Sequence, residues 1–426
     1  MKVLVVANGF PPTGRFGTEF YAGELARGLR SRGAEVRALC IAKDGEARRE
    51  RTEGAGGVPL DVLHLPHPPS RDLVNAYRSE WVERVFAEVV REFAPDVVHF
   101  LQLLWGLSTE LPRIAKEAGA RTVLTLTDYG LVCHRGQMFT ADARRCGGPH
   151  PATTCAPCLR RVSAERVGGV RASLHALASE ALALAGGAFG VVTVRDVEAR
   201  EAAVRRAFAH VDAVVAPTPS MARAFAGLAP GAVVLPYAFD EEPFAAVARP
   251  HREGVRRVGF LGQLAPHKGA HVLLEAVRLL RARPGARTEF ALHGAAPSGE
   301  WSRYARRLLA NAPEGVSIEP AFEPADAPQV LARLDAVAVP SLWDENAPLV
   351  CLQARAAGVP IAASDVPGIA AVVEEGVHGA LAAPGDARAL ADAIDRALDL
   401  RDVPRGLPVG FDRPPRRDRR LHHSPA

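Results

Sequence analysis

The chain has 426 residues, is 48% apolar and 23% charged, and carries a net charge of +4, which are ordinary values for a globular protein. That charge is too small to argue for a nucleic-acid partner, though it permits contact with an acidic membrane surface. The apolar run at the N-terminus is too short for a signal peptide. The run Ala181 to Val194, broken by Gly186, Gly187 and Gly190, is too short to span a bilayer, so a cytoplasmic location is expected. The six cysteines then argue against a disulfide framework.

Val3 to Ala7 reads as a strand, and Asn8 to Gly17 as a loop with Pro11, Pro12 and three glycines. Thr18 or Glu19 opens a helix to about Arg32, with Tyr21, Leu25 and Leu29 on one face, and Val36 to Ile41 is the next strand. This opening has phosphate-loop character without the G-x-G-x-x-G spacing of dinucleotide binders. A plain tight strand–helix turn is the alternative. Asp96 to Phe100 and Thr122 to Leu126 are predicted strands. Each ends in polar groups: His99 with Gln102, and Thr127 with Asp128. His99 has a structural reading as well as a functional one. Asp128, at a strand's carboxyl end, is the better candidate for chemistry.

Cys133, Cys146, Cys155 and Cys158 follow in a Gly/Pro-rich segment spaced C-x12-C-x8-C-x2-C. The set fits a four-thiolate zinc site; free thiols or a redox pair are the alternatives. Cys40 and Cys351 lie in apolar surroundings and read as core. Residues 160–210 are Ala- and Arg-rich and predicted mostly helical. Ala213 to Ala216 is a strand, Ser220 caps a helix, Val233 to Tyr237 closes the first sheet, and Pro243 to Gly254 is a polar, irregular linker.

The strand–helix pattern then restarts. Val258 to Leu261 is a strand, GQLAPHKG its loop, and His271 to about Arg281 a helix. Phe290 to His293, Trp301 to Leu309 and Ser317 to Glu319 follow as strand, helix and strand. Ala336 to Val339 is a short buried strand ending at Pro340. Asn346 is a predicted N-cap, Pro348 suits the first helical turn, and Gly358 stops the helix. Val359 to Ala363 is a strand, Pro367 to Glu375 a helix, and Asp386 caps a helix to about Leu400. Two successive series predict an α/β protein with two doubly wound Rossmann-like domains facing a cleft, residues 1–242 and 255–400. The tail from Arg401 to Ala426 is Pro/Arg-rich without an apolar face and is expected to be disordered. Glu345 stands where a helix N-terminus should attract an anion. It is either a dipole partner or a group aimed at sugar hydroxyls.

Taken together, these motifs resemble the family-4 retaining glycosyltransferases of the GT-B fold over about residues 1–400. VPSLWDENAPLVCLQARAAGVPIAASDVPG looks like the family's E-x7-E nucleotide-sugar motif, and GQLAPHKG like its phosphate loop. PPTGRFGTEFYAGELARGLRSRGAEV resembles the N-terminal glycine loop. DYGLVCHRGQM with the later cysteines resembles a subset with a Cys-containing insertion, here 133–158. The resemblance implies transfer of a sugar from a nucleotide diphosphate sugar to a hydroxyl on a glycan or lipid-linked acceptor, with retention and with peripheral membrane contact. It implies no cofactor for catalysis, and no Asp-x-Asp pair suggests a catalytic metal. A relative that binds but does not turn over, or an epimerase or hydrolase on the same fold, are the alternatives.

Carried over by position, Lys268 neutralises the donor diphosphate, with Gln263 beside it where many relatives have Arg. Glu345 bonds the transferred sugar. The backbone around Asn346, Ala347 and Leu349 meets the phosphates, and Gln353, in place of a second Glu, holds the ribose. Gly17 lets its loop approach the donor, while His99 and Asp128 face the acceptor. Phe16 stands where a second glycine is usual, and Thr127 where relatives often have His. The family's C-terminal helices are not recognisable after Leu400.

Overall fold

The computed structural model describes residues 1–14, 17–66, 76–161, 169–184, 191–246, 254–284, 288–294, 301–400 and 402–407. Phe16 and the tail from 408 lie outside them.

Two sheets organise the chain. The first has eight strands: β1 (Lys2–Val6), β2 (Glu35–Ala42), β3 (Arg48–Gly54), β4 (Val58–His64), β5 (Val97–Phe100), β6 (Arg121–Thr125), β7 (Ala213–Ala216) and β8 (Val233–Val234). Their spatial order is β3-β4-β2-β1-β5-β6-β7-β8, parallel except for the β3–β4 hairpin. The second has six: β9 (Arg256–Leu261), β10 (Thr288–His293), β11 (Val316–Glu319), β12 (Ala336–Val339), β13 (Ile361–Ser364) and β14 (Gly379–Ala382). It is parallel throughout, in the order β11-β10-β9-β12-β13-β14. Both are doubly wound, as expected. The strand order reverses between β1 and β5 in one sheet and between β9 and β12 in the other.

Strands covered by helices on both faces lose the in–out alternation of a half-solvated sheet. β12 (AVAV) and β13 (IAAS) are buried at every residue. Helices pack on them through amphipathic faces. In Glu80–Phe93 the residues Val82, Val85, Phe86, Val89, Val90 and Phe93 are buried at helical spacing, and Ser79 caps the first turn. Each such side chain contributes roughly 1.5–3 kcal/mol on burial, far more than helix propensity could. Asp386 caps Ala387–Asp399 by accepting from the Arg388 and Ala389 N–H groups, as its position predicted. One apolar cluster runs through both halves, joining Val3, Ala22 and Val36 to Leu331, Leu352 and Val359.

Several expectations are corrected. The β3–β4 hairpin, the Glu80–Phe93 helix and β14 were not foreseen. Thr218, not Ser220, caps the Pro219–Ala224 helix, accepting from the Met221 N–H. β8 covers only Val233 and Val234. The predicted linker begins as a helix, Glu242–Ala246, that buries Phe244. The predicted Pro367–Glu375 helix stops at Ala370. The start of the tail is packed rather than loose: Arg405 Nη1 donates to the Ala245 carbonyl at 2.6 Å, and the Leu407 N–H donates to Glu241 at 2.9 Å. Leu407 also packs against the shared core.

A chain ending at residue 401 should therefore melt below one ending at residue 407. Arg405→Ala alone should cost no more than about 1 kcal/mol, because that side chain is exposed. Equal melting temperatures for the two truncations would return residues 402–407 to the loose tail.

Candidate functional site

In open parallel sheets, ligands bind beyond the carboxyl ends of the strands where the order reverses. In the second sheet this point lies between the loops after β9 and β12. The first loop carries Gln263 and Lys268, and the second carries Ser341 and Glu345. Gly269 draws the two together. It has φ 73°, and a Cβ there would sit 1.9 Å from the Pro340 carbonyl oxygen, so only glycine fits. The Leu342 N–H donates to the His267 carbonyl at 2.8 Å across the same junction. Gly368 plays the matching part on the other side, where a Cβ would fall 1.6 Å from the Glu345 carbonyl oxygen.

The result is a buried ion pair. Lys268 Nζ donates to Glu345 Oε1 at 2.8 Å, and Ser341 Oγ donates to the same oxygen at 2.6 Å. Glu345 is 2% exposed. Burial pushes its carboxyl up, but the Lys268 charge and the bonds from Lys268 and Ser341 outweigh that and hold it below the usual carboxylate range. Lys268 also lies 5.0 Å from the Trp343 ring centroid. Trp343 meets the buried His267 edge-on at 5.2 Å, and burial first, then Lys268, pushes that imidazole down to about 3, so it is neutral. Ser341, Trp343 and His267 were not singled out from sequence. Their only signal was position, Ser341 and Trp343 in the loop that carries Glu345 and His267 beside Lys268.

The helix after this loop starts later than predicted. It spans Leu349–Ala357, with Pro348 at the N-cap and Gly358 (φ 67°) at the C-cap. Asn346 is not its cap. Its Nδ2 reaches the other domain, donating to the Thr127 carbonyl and, at 3.1 Å, to the Tyr237 hydroxyl. Its Oδ1 accepts from the Ala347 N–H at 2.8 Å, so that N–H is already used. The first-turn N–H groups of Leu349 and Val350 have no carbonyl one turn back to bond within the helix. Gln353 is half-buried on the second turn.

The first domain meets this helix start. A Cβ on Gly17, at the N-terminus of Gly17–Ser31, would lie 3.4 Å from Leu349 Cδ1. Arg145 of the cysteine segment donates from Nε to Asp344 at 2.8 Å. Asp128 is held in place on both oxygens. Oδ1 accepts from the Gly130 N–H at 2.6 Å and Oδ2 from Gln102 Nε2 at 3.3 Å. Burial nonetheless raises its carboxyl above the ordinary value. Arg200, 1% exposed, fixes this turn from below, donating to the Gly130 carbonyl at 2.6 Å and to His134 Nδ1 at 2.8 Å. His99 bonds Thr125 Oγ1 at 2.8 Å within the sheet. Burial pushes its imidazole down to about 4, which is the structural reading of that histidine.

The four cysteines share one neighbourhood, since ionised Cys133, Cys146 or Cys158 would each push Cys155 higher. Yet the Cys146 thiol donates to the Gly148 carbonyl and the Cys155 thiol to the His150 carbonyl, at 3.2 and 3.4 Å. Burial raises Cys155 to about 11, so it is a protonated donor here. Among the described residues no group of three or more His, Cys, Asp or Glu side chains is placed to hold a metal ion. Among the described residues no helix is long and apolar enough to cross a membrane.

The Lys268–Glu345 pair has a pH signature. A carboxyl held below its ordinary value of 4.5 stabilises the fold above that value, and the contribution is lost as pH falls through the folded-state value. Lys268→Met should cost on the order of 2–3 kcal/mol near neutrality, less than for a fully buried pair because Lys268 is 26% exposed. In melting curves the gap to the wild type should close below pH 4.5. A gap independent of pH would mean the pair contributes nothing.

Residues 255–400 match the family model described as glycosyl transferases group 1, and residues 16–197 match the glycosyl transferase 4-like domain. A D-inositol 3-phosphate glycosyltransferase of Nocardia farcinica is 31% identical over 220 residues, 48% of each chain. Its counterpart in Mycobacterium tuberculosis is 36% identical over 167 residues, 38% of this chain and 33% of that protein. The alignments thus span about half or less of these curated relatives. Among solved structures, sucrose-phosphate synthase of Thermosynechococcus elongatus superposes with a TM-score of 0.64 at 16% identity, covering 93% of this chain and 89% of that one. Anabaena HepE, solved with UDP-glucose, gives 0.58 at 18% identity, covering 94% and 90%. Both share the fold of two facing doubly wound domains. With each half of the chain matched by its own family model, this protein belongs to the family-4 glycosyltransferases of the GT-B fold.

Proposed function

We propose that the chain moves a sugar from a nucleotide diphosphate sugar to a hydroxyl acceptor, with retention at the anomeric carbon and without a catalytic metal. The observation that carries the reading is the Lys268–Glu345 pair, 2.8 Å apart where the second sheet reverses its order. The diphosphate takes Lys268 from Glu345 and rests on the first turn of Leu349–Ala357, beside Gly17. Glu345, released, accepts hydrogen bonds from hydroxyls of the transferred sugar. Gln353 bonds the ribose and Gln263 lies by the phosphates. The bond from the anomeric carbon to the diphosphate oxygen breaks and its electron pair leaves with the diphosphate. The acceptor oxygen bonds that carbon on the same face, and its proton passes to the leaving phosphate. Lys268 and the helix N-terminus stabilise the charge that develops. Asp128 serves the acceptor side by orienting Gln102.

The acceptor belongs to a glycan or a lipid-linked sugar. Peripheral membrane contact is supported by one helix, Gly169–Leu184, which exposes Val170, Leu174 and Leu177 on one stripe. The neighbouring Anabaena HepE structure, solved with UDP-glucose, supports a nucleotide sugar as donor.

Lys268→Ala should weaken donor binding and lower turnover together. Glu345→Ala should cut transfer by about two orders of magnitude, on the order of 3 kcal/mol for a charge-assisted bond strengthened in the transition state. Gln353→Ala should mainly raise the donor KM. Normal transfer by Glu345→Ala would remove the basis of the assignment. Free nucleotide released equally with and without an acceptor would point to a hydrolase, and donor binding without turnover to an inactive relative.

We propose a structural role for the cysteine segment, with Cys133, Cys146, Cys155 and Cys158 turning from their carbonyl partners to bind zinc. Spacing and shared neighbourhood support this. Elemental analysis of protein purified without added metal should find about one zinc per chain. No zinc, with all four thiols alkylated in the native state, would leave them as free thiols.

A further inference from the structure

One small hairpin of the first domain touches both loops that make the ion pair. Residues 138–146 fold back on themselves within the cysteine segment. The Cys146 N–H donates to the Met138 carbonyl and the Thr140 N–H to the Arg144 carbonyl, each at 2.8 Å. Phe139 and Arg145 are bridged across this hairpin, antiparallel, so their side chains share one face. Met138 (φ 50°) and Ala143 (φ 58°) take left-handed backbone, which few non-glycine residues hold without tertiary support. The Met138 N–H also donates to Cys133 Sγ at 3.3 Å, which ties down the base of the hairpin.

The shared face looks onto the second domain. The Phe139 ring meets His267 edge-on, with 6.4 Å between centroids, and His267 precedes Lys268. Arg145 donates from Nε to Asp344 Oδ1 at 2.8 Å, and its Nη2 donates to the same oxygen. Asp344 precedes Glu345. One cross-strand pair thus grips the preceding neighbour of each member of the ion pair. The loop that carries Glu345 is irregular over residues 341–348, so its contacts set its shape. Trp343 meets Tyr129 edge-on at 6.4 Å, Asp344 accepts from Arg145, and Asn346 donates to the Thr127 carbonyl and the Tyr237 hydroxyl. Glu345 stands between these anchors and turns back to Lys268. The Arg145 side chain is 41% exposed and that of Asp344 16%, so the pair adds little to stability. What two N–H groups on one carboxylate oxygen do supply is direction.

We propose that Arg145 is a positioning residue for sugar recognition: through Asp344 it sets the direction in which Glu345 meets the sugar of the donor, while Phe139 seats the Lys268 loop through His267. The inference rests on the glycosyltransferase reading above and adds to it an element of the first domain that serves the donor site.

The test uses the full chain. Thermal shifts with UDP, GDP and ADP, and with UDP-glucose, GDP-mannose and ADP-glucose, identify the nucleotide that binds. Calorimetry then gives the ratio of affinities for that nucleotide's sugar ester and its free diphosphate. In Arg145→Ala the diphosphate should bind at least as tightly as in the wild type, which also shows that the variant is folded. The ratio should fall about fivefold or more. Asp344→Asn should give the same loss. Arg145→Lys should give a smaller one, since it keeps the charge without the fork of N–H groups. The double variant of Arg145→Ala with Asp344→Asn should lose no more than either alone, because the two act as one contact. Equal weakening of both ligands, an unchanged ratio, or losses that multiply in the double variant would overturn the proposal. So would a wild-type chain that binds a diphosphate but none of the three sugar esters; each leaves the transferase reading intact. Absence of any shift with all six ligands would instead overturn the transferase reading itself, and the role of Arg145 with it.

Discussion

A carboxylate buried to 2% exposure cannot stand alone in a protein interior, and Lys268 and Ser341 are what hold Glu345 there. The geometry around the pair follows from that constraint. Gly269 and Gly368 exist as glycines because backbone carbonyls occupy the space a Cβ would need. The price in stability is that neither partner can be removed alone. In the function proposed, Lys268 is already committed when the donor arrives, so a diphosphate competes for it, the sugar's hydroxyls satisfy the carboxylate left behind, and one ion pair reads both parts of the donor.

The cleft is closed on the same logic. Asn346 gives its amide hydrogens to the Thr127 carbonyl and the Tyr237 hydroxyl of the first domain, and Arg145 pairs with Asp344. These residues flank Glu345 on both sides, so the loop that carries the carboxylate is also the loop that senses the other domain. Residues 402–407 add a contact on the far side, against Glu242–Ala246.

Much of this was legible in sequence, and the exceptions have physical causes. β12 and the Ala270–Arg281 helix lay within a residue of their predicted bounds, because short apolar runs and helical stripes bounded by Pro and Gly are local signals. Lys268 and Glu345 were named from their motifs. That they bond each other was invisible, because the contact spans 77 positions and depends on two glycines. Asn346 was misread as a cap since nothing local says that a partner in the other domain will claim its side chain. The β3–β4 hairpin was missed because β3 (RRERTEG) is a charged edge strand with no apolar alternation. Asn8 and Gln102 carried no motif at all. Only the strand order, which brings β1 beside β5, makes them neighbours.

The central claim is that Glu345 and a diphosphate compete for Lys268, and one binding measurement addresses it. The affinity of the free nucleoside diphosphate, without a sugar to occupy Glu345, is compared in the wild type and in Glu345→Gln by calorimetry. The account predicts tighter binding in Glu345→Gln, because the ammonium no longer has to leave a buried carboxylate. Unchanged or weaker binding would show that Lys268 stays on Glu345 throughout, and that the pair is structural rather than part of donor recognition.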